Sequence, residues 1–339
     1  MKMETQSRKP RVLSGTRPSG RIHLGNLEGA LRNYVRLQEE YDCFYFVADW
    51  HALSDGYGDT GSLQDDILEI TIDYLAAGID PERSTLFVQS QVPEHAVLHL
   101  LLSMIVPLPW LERVPTFKEK VENLGGQSPA GYGLLGYPVL MSADILIYRA
   151  DFVPVGQDQL PHLELAREIA RRFNHMYGET LVEPEALLTS APVVPGIDNR
   201  KMSKSYGNDI CLADDDDTVR SKAMRMYTDP QKIYLGDKGH PDLCPVYFCH
   251  TIYNAENAPE VHATCTGGTR RCVDCKKEMA QHLLSSLGPM RAKRRYWEAR
   301  KGEVREILRH GSQKARSVAQ VTLAAVQQAM NLWPDAPAV

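Results

Sequence analysis

The chain has 339 residues, 43% of them hydrophobic, and a formal net charge of −5. That length allows two domains, or one large domain with an appendage, around a sizeable core. No apolar run reaches the ~20 residues of a membrane span, and the acidic balance confines any nucleic-acid contact to local basic patches. The opening segment MKMETQSRKPR has no apolar stretch of the signal-peptide kind, so a cytoplasmic protein with no membrane or DNA partner is expected. In that reducing compartment the seven cysteines are not expected to form a disulfide framework.

In chain order, Arg11 to Thr16 reads as a short buried strand that runs into the turn Arg17-Pro18-Ser19-Gly20. Apolar spacing predicts a helix over 24–39. Continuous apolar runs predict strands over 43–48, 84–89 and 152–155, and helices follow over 67–77 and 160–173, the first stopped by Gly78. Strands apolar on both faces, alternating with helices, indicate an α/β fold with a doubly wound parallel sheet. Ligands in such sheets sit beyond the strand carboxyl ends, where the His23 and Gly156 turns would lie. The acids Asp214 to Asp217 precede a helical stretch over 219–227, and they suit helix capping better than metal binding. From Lys276 onward the pattern is almost wholly helical. The expected division is therefore an α/β part over 8–207 and a helical part over 208–335.

Two distant segments carry the chemistry. Lys201-Met202-Ser203-Lys204-Ser205, flanked by Gly196 and Gly207, suits a loop gripping a polyphosphate. Gly20-Arg21-Ile22-His23-Leu24-Gly25-Asn26, behind a predicted strand, suits the other half of a nucleotide site. Gly20 and Gly25 let backbone approach the nucleotide, and His23 and Asn26 supply hydrogen-bond donors. Lys201 and Lys204 would clamp pyrophosphate, and Lys120 in Phe117-Lys118-Glu119-Lys120 is a further candidate cation or a plain surface residue. Adenylate formation needs this kind of positioning and charge stabilisation, without covalent catalysis.

These two elements resemble the signatures of class I aminoacyl-tRNA synthetases. Tyr137-Pro138-Val139-Leu140-Met141-Ser142-Ala143-Asp144-Ile145-Leu146 and Val153-Pro154-Val155-Gly156-Gln157-Asp158-Gln159 are similar to the bacterial tryptophanyl-tRNA synthetase pattern within that class. The resemblance runs through nearly the whole chain. It implies a Rossmann-like catalytic domain with a helical anticodon-binding domain, and ATP, Mg²⁺, L-tryptophan and tRNA(Trp) as ligands. It also implies a homodimer.

By the same likeness Asp144 accepts the indole N–H, Met141 lines the ring slot, and Tyr137 and Gln159 hold the α-amino group. Gly156 and Asp158 face ribose and adenosine, and Lys120 reaches the terminal phosphate. Asn26 stands where many class I enzymes carry a second His. Arg17, near the substrate carboxylate and ATP, replaces a common Gln. Rival readings are a tyrosine-specific ligase and a non-catalytic or redox-sensing tRNA-binding paralogue.

Cys265, Cys272 and Cys275 lie close together, with Cys244 upstream. Cys272-Val273-Asp274-Cys275 lets two thiolates reach one metal, and spacing alone favours zinc. The likeness to a synthetase subgroup that carries a 4Fe–4S cluster favours the cluster instead, with Cys244 as fourth ligand and Cys249 as its competitor. Cys43 and Cys211 read as small buried hydrophobes. Of the basic patches, Arg270, Arg271, Lys276 and Lys277 are expected to face tRNA. The other is Arg291, Lys293, Arg294, Arg295, Arg300 and Lys301. The residues alone leave both patches open as ordinary charged helix faces.

Overall fold

A computed structural model describes residues 8–114, 131–188 and 193–333. Five strands form one parallel sheet in the order β3-β2-β1-β4-β5. They are β1 (Arg11–Thr16), β2 (Asp42–Val47), β3 (Ser84–Val88), β4 (Phe152–Val155) and β5 (Glu185–Leu188). The first four stand within one residue of the apolar runs that predict them; β5 has no such run. The expected doubly wound sheet is therefore present. The chain builds outward from β1 in one direction and then in the other, which leaves a crevice between the carboxyl ends of β1 and β4.

The helix expected over 24–39 is interrupted. A first turn, α1 (Leu24–Asn26), passes into a π-helical turn over Leu27–Leu31 and then α2 (Arg32–Leu37). The wide turn keeps Leu27 and Leu31 fully buried while Gly29 and Ala30 line the crevice. Single π turns of this kind favour functional sites. Next come α3 (Asp49–Gly56), α4 (Leu63–Ala77), α5 (Glu94–Ser103), α6 (Leu108–Glu112), α7 (Tyr132–Ile147) and α8 (Leu160–Tyr177).

The remaining helices are α9 (Asp216–Arg225), α10 (Pro245–Tyr253), α11 (Ala258–Thr266), α12 (Cys272–Glu298) and α13 (Lys301–Ala329). Asp215 caps α9, its carboxylate accepting from Thr218 N at 2.7 Å, which matches the capping role expected of the acidic run. The last two helices return to the sheet. Met279, Leu283 and Leu287 of α12 join the core on one face, and Ala315, Ala319 and Leu323 of α13 join the core on the other. Gly311 permits that return, because a Cβ there would stand 1.8 Å from Leu86 O of β3. Among the described residues no helix is long and apolar enough to cross a membrane.

Candidate active site

A cavity of about 390 Å³ opens at the crevice between β1 and β4. Arg17, Tyr137, Met141, Asp144, Gly156 and Gln159, taken from separate motifs, all line it. Tyr137, Met141 and Asp144 stand at i, i+4 and i+7 on α7, a spacing that puts them on one helical face. Gly156 follows β4 directly, and Gln159 closes the turn into α8. Arg17 leaves the end of β1, with Nη2 donating to Ala52 O at 3.4 Å.

Asp144 is 1% exposed, yet its carboxyl is held down to about 2. Burial alone would raise it; the field of His95 and hydrogen bonds from His51 and His95 outweigh that penalty. His51 Nε2 lies 2.7 Å from Oδ2, His95 Nδ1 lies 2.6 Å from Oδ1, and Gln89 Nε2 donates to both oxygens at 2.9 Å. Behind this group, His95 Nε2 meets the Tyr148 hydroxyl at 2.7 Å. His51, Gln89, His95 and Tyr148 escape the motif reading. One sequence signal pointed their way: Asp49-Trp50-His51 begins two residues after β2 and Gln89 directly follows β3, both at strand carboxyl ends.

The two signature segments meet beside the cavity. Leu24 N donates to Ile210 O and Leu212 N to Ile22 O, each at 2.9 Å, joining the first signature to the chain just after the lysine loop. Lys204 Nζ donates to Ser19 O at 2.6 Å, and Met202 packs against Gly25. Gly20 adopts φ +79°, a left-handed conformation suited to glycine. The lysine loop is braced from within by Asn208, which accepts from Ser203 N at 2.7 Å and donates to Lys201 O at 3.1 Å. Lys201 and Ser205 stay exposed, while Met202 is buried.

His23 caps α1. Its Nδ1 accepts from Asn26 N at 3.3 Å, and Asn26 Oδ1 accepts from His23 N at 3.4 Å. Burial first, and then the nearby Lys204 charge, lower the imidazole to about 4. At neutral pH the ring is uncharged with Nδ1 used as an acceptor, so Nε2 carries the hydrogen and is a donor. Lys204 is itself lowered by burial, although nearby acids work against the shift.

Farther along, Cys244, Cys265, Cys272 and Cys275 line one shared cavity together with Lys232, Arg270 and Lys276. Cys249 is absent from that lining; it is fully buried in the core, its thiol pushed up to about 12 by burial. Burial also raises Cys244, Cys265 and Cys275, the last to about 12. Among the described residues, no group of three His, Cys, Asp or Glu side chains is arranged to hold a metal ion.

Of the four cations expected to face tRNA, two reach the surface and two turn inward. Arg271 and Lys277 are exposed. Arg270 instead pairs with Glu278 at 2.5 Å, and Lys276 is buried with Nζ donating to Met226 O at 2.6 Å and Thr228 Oγ1 at 2.7 Å. In the second patch Arg291 and Arg294 also turn inward, paired with Asp216 and with Glu69 and Asp73. Lys120 lies outside the described residues, as does the side chain of Asp158.

Comparison with known proteins places this geometry in a family. The family profile described as tRNA synthetases class I (W and Y) matches residues 5–288. A tryptophan–tRNA ligase from Thermotoga maritima is 48% identical, the match covering 95% of this chain and 99% of the relative. One from Aquifex aeolicus is 43% identical, covering 95% of this chain and all of the relative. Among solved structures, tryptophanyl-tRNA synthetase from Campylobacter jejuni complexed with ADP and tryptophan superimposes with a TM-score of 0.86 at 33% identity. That match covers 95% of this chain and 100% of the other. The chain belongs to the tryptophan and tyrosine branch of the class I tRNA synthetases.

Proposed function

We propose that this chain is a tryptophan–tRNA ligase. The tryptophan carboxylate attacks the α-phosphorus of ATP, the bond to pyrophosphate breaks, and tryptophanyl-adenylate remains bound. A ribose hydroxyl of the terminal adenosine of tRNA(Trp), by family analogy the 2′-hydroxyl, then takes the aminoacyl group and releases AMP. The observation that carries this reading is the convergence of Arg17, Tyr137, Met141, Asp144, Gly156 and Gln159 on one cavity beside the joined signatures.

In this reading Asp144, ionised at its buried place, accepts the indole N–H, and Tyr137 and Gln159 hold the α-amino group. Gly156 and Asp158 receive the ribose and adenosine. His23 and Asn26 offer neutral donors to phosphate oxygens, with Gly20 and Gly25 giving close backbone access. Lys201, Lys204 and Lys120 carry the charge of the departing pyrophosphate, supported by Met202, Ser203 and Ser205. Magnesium travels with the phosphates. ATP–pyrophosphate exchange tests the reading. Exchange that depends on tryptophan and not tyrosine is expected; tyrosine-only exchange, or none, would overturn it.

The four thiols that share a cavity suit a soft metal centre, because Cys sulfur prefers zinc or iron–sulfur occupants. Lys232, Arg270 and Lys276 on the same walls would offset the charge of the deprotonated ligands. Our reading is that Cys244, Cys265, Cys272 and Cys275 hold a 4Fe–4S cluster, with zinc as the alternative. When bound it would cross-link the segments around residues 244–275. Absorbance near ~400 nm with matching iron content supports the cluster; zinc content without that band would replace it.

Residues 208–335 are the proposed anticodon-binding part, with Arg271 and Lys277 as the exposed cations nearest the cysteines. A homodimer in the cytoplasm completes the proposal. The exposed apolar residues Leu100 on α5, Met104 just past its end and Leu108 at the start of α6 support self-association.

A further inference from the structure

We propose that Tyr148, His95 and Gln89 form a positioning relay that fixes how Asp144 presents its carboxylate to the amino-acid ring, and so sets selectivity for a ring N–H donor. The relay rests on the reading of Asp144 as the ring acceptor. A carboxylate offers about four acceptor sites and no hydrogen. Three donors already reach this one: His95 on Oδ1, His51 on Oδ2, and Gln89 between them. Gln89 bridges both oxygens, so a ring N–H arriving from the cavity that Asp144 lines must share an oxygen these donors already orient.

Each donor is held differently. Both imidazole nitrogens that touch Asp144 must carry hydrogens, since the carboxylate has none to give. On the far side of the ring, His95 Nε2 meets the Tyr148 hydroxyl at 2.7 Å, so the imidazole is held at both nitrogens. The Tyr148 hydroxyl thus fixes the orientation of the His95 ring behind Asp144. Gln89 is fixed by a different group: Trp50 N donates to its Oε1 at 3.1 Å, which turns the amide nitrogen toward Asp144. Tyr148, His95 and Gln89 are all fully buried, so these bonds form without competition from bulk water. His51 alone among the donors stands on the cavity wall.

Such an arrangement holds the carboxylate from behind while leaving its front to the ligand. A mispositioned acceptor weakens the bond to a ring N–H, and it changes nothing for a ring that has no N–H. This separates a positioning role from a merely structural one, which would affect both rings alike. The test compares L-tryptophan with L-3-(benzothiophen-3-yl)alanine, whose ring sulfur replaces the N–H, in ATP–pyrophosphate exchange.

Tyr148→Phe removes only the hydroxyl, and Gln89→Met removes only the amide donor at similar volume. For each, kcat/KM with tryptophan is expected to fall about tenfold, mostly through KM, as for one weakened bond to a charged group. The benzothiophene analogue is expected to change less than twofold. Equal losses on both substrates, or an unchanged ratio in both variants, would overturn the relay. Should Tyr148→Phe fold poorly, Gln89→Met decides alone. Asp144→Ala is the control. If it leaves the wild-type preference intact, Asp144 is not the ring acceptor and the relay falls with it. If it abolishes the preference while the other two variants keep it, only the relay is wrong.

Discussion

Gly25→Ala separates the placement of His23 from the stability of the fold. A Cβ at position 25 would stand 2.8 Å from Cε1 and 2.9 Å from Nδ1 of His23, and 3.4 Å from Cβ of Met202. Carbon atoms pack best at about 3.5–4.0 Å, so the ring must retreat by roughly 0.7 Å or swing away. The bond from Asn26 N to Nδ1, 3.3 Å long, is then lost. Losing a helix N-cap costs about 1 kcal/mol, while alanine in place of glycine returns up to about 1 kcal/mol of helix propensity. These effects offset each other, and Tm should stay within about 3 °C of the wild type. The chemistry has no such compensation. A displacement approaching 1 Å at a donor placed for phosphate costs on the order of 10²-fold. Tryptophan-dependent ATP–pyrophosphate exchange, with KM for ATP and kcat separated, reads the effect; a thermal melt controls for folding. Exchange within threefold of the wild type at unchanged Tm would show that the His23 ring is not placed for catalysis. A collapse of Tm alongside the rate would show that Gly25 serves folding first.

Lys204→Ala should lower exchange at least 100-fold while tryptophan affinity by calorimetry changes less than threefold, since Nζ rests on Ser19 O outside the ring cavity; matched losses would make the loop structural. Arg294→Met should destabilise by about 3–5 kcal/mol in urea unfolding, because Asp73 is left buried without its cation; adding Asp73→Asn should recover part of that loss. Asp144 has a folded pKa below its unfolded value, so its stabilisation is present above pH ~4 and is lost as pH falls toward about 2. That loss, about 2 kcal/mol, should be missing from the acid limb of Asp144→Asn. Cys272→Ser should impair tRNA charging more than exchange; charging at the wild-type rate would separate the cysteine cavity from RNA recognition.

What the sequence reveals here depends on how far apart the interacting residues lie. β1 to β4 are legible because a strand buried on both faces needs an unbroken apolar run. β5 lies at the sheet edge, four residues long and only partly buried, and carries no comparable run. Asp215 capping α9 is readable because donor and acceptor stand three residues apart. The relay behind Asp144 is not, because His95 and Gln89 reach it across roughly fifty positions, and the place of Gln89 at a strand end points to the site without naming its partner. Arg270 and Lys276 illustrate the same limit. Sequence reports their charge, but their inward direction follows from Glu278 and from the carbonyls ahead of residue 229, which only the fold brings near. Local chemistry and strand burial are written along the chain; the partner of a charge is written across it.

That distinction explains how the first signature is held. Ile22 N donates to Asp73 Oδ2 at 2.7 Å, so an acid on α4 pins the backbone one residue before His23. Asp73 is wholly buried and its carboxyl is raised to about 6, burial outweighing the pull of Arg294. A buried pair of this kind adds little stability over a well-packed apolar pair, because desolvation consumes most of the attraction. Its contribution is geometric. Arg294 on α12 faces Asp73 at 2.9 Å and also pairs with Glu69, which in turn meets Arg21 at 3.1 Å inside the signature. The backbone leading into His23 is thus braced by a guanidinium from the helix that begins at Cys272. Displacement of α12 by a bound RNA must either carry Asp73 with it or break a buried ion pair, and both outcomes register at Ile22.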